Sequence, residues 1–146
     1  MSEPQPIVKT LPAAIGSVPV ARELASDLGE RLMAPEQLDN LTLVVTELVS
    51  NAVRHSASSD PVRLAMTPKD GYVCVQVTDS GRGLVPEPGA IGSQSTPGYG
   101  LFLVERLTRR WGMTREAGRT RVWTEIDFAA GPADDPRGAS PQRTAA

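Results

Sequence analysis

Apolar side chains recur at mostly helical intervals at Val18, Val20, Leu24, Leu28 and Leu32, with charges between them, which predicts an amphipathic helix beginning near Ser17. A broader stripe follows. Leu38, Leu41, Val44, Val45, Leu48, Val49, Ala52 and Val53 share one side of a second helix, and Pro35 suits its first turn. Upstream, "PIVKTLP" is a short extended piece bounded by prolines. Downstream, "VRLAMTP" and "YVCVQVTD" are rich in strand formers and flank "KDG", so they predict a hairpin whose glycine takes a positive φ. "LFLVERLTRRW" returns to helical spacing through Leu101, Leu103, Val104 and Leu107, and "GMTREAGRTRVWTEIDF" predicts a second hairpin turning near Ala117 and Gly118. This order of helices and hairpins predicts an α+β fold. Its form is a two-layer sandwich, a mixed and mostly antiparallel sheet under three helices.

Two stretches depart from the pattern. From Gly81 to Gly100 there are six glycines and three prolines, too many for regular structure, so a long mobile loop is expected. From residue 129 to 146 no aliphatic side chain exceeds alanine and no aromatic occurs, which predicts a disordered tail behind one domain over residues 1–128. The 146 residues, 40% hydrophobic and 22% charged, are enough for a single core. A formal net charge of -2, with both signs interspersed, creates no field that draws nucleic acid or an anionic membrane. The single cysteine, Cys74, excludes an internal disulfide and reads as a small core residue in "YVCVQV". The start of the chain has no leader pattern and no run approaches a membrane span, so a cytoplasmic location is expected.

Three constellations carry candidate chemistry. Glu47 and Asn51 stand one turn apart on the second helix, with His55 a turn further on. A carboxylate beside an amide oxygen suits a hard cation such as Mg²⁺, and the carboxylate can also take a proton; two solvent-facing residues are the plainer alternative. In "VTDSGRGL" a strand ends in Asp79 and meets Gly81 and Gly83, where backbone can approach a flat ligand and the carboxylate can accept from an exocyclic amine, unless this is an ordinary turn. In "TPGYGLFLVERL" Gly98 and Gly100 open a helix whose free N–H groups can face phosphate, or serve flexibility alone. Neither glycine pair fits a P-loop or a dinucleotide fingerprint. Arg54 and His55 read as an exposed helix end, and Arg109, Arg110 and Trp111 as another, packed by one aromatic.

In this order, E-x-x-x-N on a helix, D-x-G-x-G after a strand, a glycine-rich loop and G-x-G-L opening a helix, the chain resembles the GHKL ATPase superfamily over about residues 36 to 128. "ELVSNAVRHS" and "GYGLFLVERLTRRWG" look most like its anti-sigma-factor serine/threonine kinases, including the small actinobacterial ATP-binding regulators. The resemblance implies ATP and Mg²⁺ as cofactors. It makes Asn51 the Mg²⁺ ligand, Glu47 the general base and Asp79 the receiver of the adenine amino group, with Gly81 and Gly83 beside the base. It implies an ATP lid from Leu84 to Pro97, with Gly98, Gly100 and Leu101 at a phosphate-facing helix start. Thr120 resembles the threonine that meets adenine through water, although Arg119 stands where the family more often has glycine.

The implied activity is transfer of phosphate from ATP to a serine or threonine of an anti-sigma-factor antagonist, together with sequestration of a sigma factor and homodimerisation. A nucleotide-binding interaction module with little catalysis is the alternative. A sensor histidine kinase or an ATP-driven clamp would need further segments, and these 146 residues show no room for them.

Overall fold

The computed structural model describes residues 5–56, 60–80, 99–129 and 143–145. The chain runs β1 (Ile7–Leu11), α1 (Ser17–Leu32), α2 (Pro35–His55), β2 (Val62–Pro68), β3 (Tyr72–Asp79), α3 (Tyr99–Leu107), β4 (Arg110–Glu116), β5 (Arg119–Asp127) and β6 (Arg143–Ala145). The sheet order is β1-β2-β3-β5-β4-β6, antiparallel throughout except for the parallel pair β4 and β6. This is the predicted mixed, mostly antiparallel sheet with helices on one face. Among the described residues no helix is long and apolar enough to cross a membrane.

α2 anchors the helical layer. Pro35 fills its first turn, Glu36 meets the positive end of the dipole, and Arg54 and His55 meet the negative end. Its stripe of Leu41, Val44, Val45, Leu48, Val49 and Ala52 is buried against Val62, Leu64 and Met66 of β2 and Val73, Val75 and Val77 of β3. Two hydrogen bonds fix its start to the end of β5: Gln37 Nε2 donates to Asp127 O at 2.8 Å, and Ala34 N to Phe128 O at 2.9 Å. The register of helix on sheet is thereby set.

Both hairpins turn where the glycines predict. Gly71 has φ +87°, and Ala117 and Gly118 have φ 53° and 76°, the pair of positive values that matches a tight turn to strand twist. In α1 the buried positions are Ser17, Ala21, Ala25, Leu28 and Gly29, whereas Val20, expected in the stripe, is 44% exposed. Small side chains at 21 and 25 let α1 lie close to its neighbour, and this turns Val20 outward.

Three further expectations change. The helical spacing of "LFLVERLTRRW" runs past the real end of α3 at Leu107. Thr108 closes the helix there, its hydroxyl donating to Val104 O at 2.7 Å and its backbone N–H to the same oxygen at 3.1 Å. Arg110 and Trp111 consequently belong to β4, and Trp111 is buried in the core. Arg109 lies 3.4 Å from Asp127 and 4.8 Å over the Tyr72 ring, and Arg110 lies 3.9 Å from Glu125 and 5.7 Å over Trp123, so the expected solvated helix end is a charged patch on the sheet.

Cys74 alternates with the buried valines of β3 and therefore sits, half-buried, on the face away from the helices, where burial pushes its thiol pKa up. Of the expected disordered tail, residues 130–142 lie outside the described residues, but Arg143–Ala145 pair with Trp111–Met113 as β6. Strand pairing uses backbone groups, which a tail of small polar residues still supplies.

On that open face Gly112 lies opposite Trp123, and a Cβ at Gly112 would fall 2.6 Å from the indole ring. Gly112→Ala is expected to destabilise the domain by about 1–3 kcal/mol, read as a lower denaturation midpoint at unchanged m-value, because a rigid ring has no room to yield.

Candidate functional site

α1 runs along one side of α2, where Pro19, Arg22, Glu23 and Ser26 face Leu38, Asp39 and Thr42 across a groove, and α3 packs on α2 as well. Glu47 and Asn51 project about 40° apart around the axis, on the margin away from the α1 groove, and both are half-buried. The one-turn spacing therefore places both polar groups at the edge of the apolar stripe, where they escape full desolvation.

β3 and β5 bring the second pair together. Asp79, the last residue of β3, stands directly opposite Thr120 of β5 on the helix-covered face. They are 7% and 3% exposed. The Thr120 hydroxyl is buried and finds no hydrogen-bond partner among the described residues. A buried hydroxyl without a partner costs free energy unless a ligand or water completes it, which makes this position a candidate for a ligand contact. Beside it, Ser80 Oγ donates to Asp60 Oδ2 at 3.0 Å and ties the end of β3 to the approach to β2.

Gly100 and Leu101 lie in the first turn of α3, which starts at Tyr99. Gly81, Gly83 and Gly98 fall outside the described residues, as does the expected lid from Leu84 to Pro97. The structure thus joins Asp79 to Thr120 and sets Glu47 with Asn51 on one helix margin. Reading the sequence missed Arg115, which the β4–β5 register places opposite Thr120 on the helix side. The signal was present: a two-residue turn at Ala117 and Gly118 pairs 116 with 119 and hence 115 with 120.

At the end of α2, His55 Nε2 is enclosed and without a partner among the described residues. Burial, and secondarily the charge of Arg54, hold its pKa below the usual 6.5. The unfolded chain then takes up a proton as pH falls through about 6.5 while the folded chain resists it, so this contribution to stability is present above that pH and lost below it. Denaturation midpoints are expected to fall between about pH 7 and pH 5.5, and His55→Gln should flatten that fall.

Residues 11–126 match the sequence family described as Histidine kinase-like ATPase domain. The chain belongs to this family. No protein of curated function matches its sequence. Among solved structures, this ATPase-family chain is similar to the RsbU and RsbW domains of Rv1364c from Mycobacterium tuberculosis, with a TM-score of 0.69 and 21% identity over 87% of the chain. It spans 33% of that longer protein. It is also similar to the SiaB–SiaC complex from Pseudomonas aeruginosa, with a TM-score of 0.58 and 14% identity, covering 82% of this chain and 88% of that one. At these identities the likeness is one of fold.

Membership of the ATPase family implies ATP as the ligand. The residues fit it: the Asp79 carboxylate can accept from an exocyclic amine, and the Thr120 hydroxyl, without a partner among the described residues, can donate to a ring nitrogen directly or through water.

Proposed function

We propose that this domain is an ATP-dependent serine/threonine protein kinase and anti-sigma factor, which phosphorylates an anti-sigma-factor antagonist and sequesters a sigma factor in partner-switching control of transcription. The observation that carries the reading is the pairing of Glu47 with Asn51 one turn apart on α2, on the margin away from the α1 groove, in a chain of the ATPase family. The fold likeness to a protein with an RsbW domain, and to SiaB in complex with SiaC, supports a regulator that acts through protein partners.

In this reading each residue type has one task. The Asn51 carboxamide oxygen would hold Mg²⁺, which when bound would neutralise charge on the phosphoryl group. Glu47 takes the proton of the acceptor hydroxyl as its oxygen bonds to the γ-phosphorus of ATP; the bond to the β-phosphate oxygen breaks and ADP departs. Asp79 and Thr120 hold the adenine, with Gly81 and Gly83 beside it, and Gly98, Gly100 and Leu101 present the start of α3 to the phosphates. With no P-loop lysine, backbone N–H groups and the Leu84–Pro97 segment supply the remaining stabilisation. The place of action is the cytoplasm, as a homodimer.

The test is incubation of the protein with labelled ATP, Mg²⁺, candidate antagonists and sigma factors. Label on an antagonist serine or threonine, absent with Asn51→Ala, is the expected result. Sigma-factor capture without any labelled antagonist would reduce the protein to a nucleotide-dependent binding module. Failure of the unaltered protein to bind ATP would overturn both.

A further inference from the structure

Asp79, Thr120 and Arg115 form one register row across β3, β5 and β4, all on the helix-covered side of the sheet. That side is fixed by their neighbours: Val77, Val122 and Met113, the preceding or following residues of the same strand faces, are buried or packed against the core. Adjacent strands lie about 4.8 Å apart, so the row spans about 10 Å from Asp79 to Arg115, a distance the Arg115 side chain can reach back across. Unlike Arg109 and Arg110, which are occupied by Glu125 and Asp127, Arg115 is exposed and takes part in no ion pair among the described residues.

The row has a chemical direction. It runs from a carboxylate that only accepts, through a hydroxyl that does either, to a guanidinium that only donates. An adenine edge runs the same way, from the amine at C6 through the acceptor N1 to a bare C2 beside the acceptor N3. A purine carrying an amine at C2 turns a donor toward the guanidinium. Asp79 and Thr120 do not by themselves exclude such a base, because the hydroxyl adapts and the carboxylate meets only the other end.

We propose that Arg115 is a specificity-determining residue of the nucleotide site, which rejects purines bearing an amine at C2. The inference rests on the assignment of Asp79 and Thr120 to the base. The discriminating probe is 2-amino-ATP, which keeps the C6 amine and N1 of ATP and adds only the C2 amine. The unaltered protein is expected to bind 2-amino-ATP about tenfold more weakly than ATP. Arg115→Ala should bring the two affinities together, and Arg115→Lys, which keeps a cationic donor, should retain most of the difference. Equal affinities in the unaltered protein, or a penalty undiminished in Arg115→Ala, would overturn the role of Arg115 while leaving the ATP site standing. If the unaltered protein binds neither nucleotide, the base assignment fails with it. Arg115 is exposed, so its replacement leaves the core untouched and loss of folding does not confuse the comparison.

Discussion

Glu47→Gln is expected to slow phosphoryl transfer by about 10²–10⁴-fold while changing ATP affinity only a few-fold. Glutamine keeps the length and the hydrogen-bonding reach of the side chain and removes only its ability to take a proton. Because Glu47 is half-buried at the margin of α2 and outside the core, the substitution creates no cavity and leaves the helix intact. Single-turnover transfer at saturating ATP isolates the step. A rate within threefold of the unaltered protein would remove Glu47 from the role of base. The separation of rate from binding also distinguishes it from Asn51, whose loss should weaken Mg²⁺-ATP binding and transfer together.

Asp79→Ala is expected to weaken ATP binding by about 10–100-fold, since a hydrogen bond to a buried charged acceptor is among the stronger polar contacts a base makes. The carboxylate is 7% exposed and has interactions within the protein, so the folded fraction must be measured alongside the affinity. Thr120→Val provides the companion measurement. It deletes a hydroxyl with no partner among the described residues, so it should leave the stability of the free protein nearly unchanged yet lower ATP affinity. Affinity losses that add independently in the double variant would argue against a shared ligand, because neighbours on one base should couple. Calorimetric titration reads both effects.

The legibility of this fold varied with how local each determinant is. α2 was visible from residue 35 to 55 because its stripe, its proline and its terminal charges agree. The two hairpins were visible because Gly71 and Gly118 mark their turns. The end of α3 was hidden, since Leu107 and Trp111 keep helical spacing and only the Thr108 hydroxyl, bonded back to Val104, stops the helix. Cys74 was misplaced because an apolar alternation names two faces without saying which one the helices cover.

The candidate site divided along the same line. Glu47 and Asn51 share one helix, so their pairing follows from spacing alone. Asp79 and Thr120 are brought together by the insertion of β5 between β3 and β4, a choice of strand order that hairpin turns do not announce. The pairing of Arg115 with Thr120 follows from the turn at Ala117 and Gly118, but its alignment with Asp79 needs that strand order.

The strand order has a further consequence for how the protein can change. The forty residues from Ser80 to Arg119 connect Asp79 to Thr120, its immediate cross-strand neighbour, and within them β4 pairs on the far side of β5 in the same sheet. Asp79 and Thr120 are thus the neck of this segment, closed by strand pairing. Changes in the length of residues 84–97 leave the pairing of Asp79 with Thr120 in place, because loop-closure cost grows only slowly with length. In the proposed function, phosphate handling and partner choice can thus be retuned while adenine recognition stays fixed.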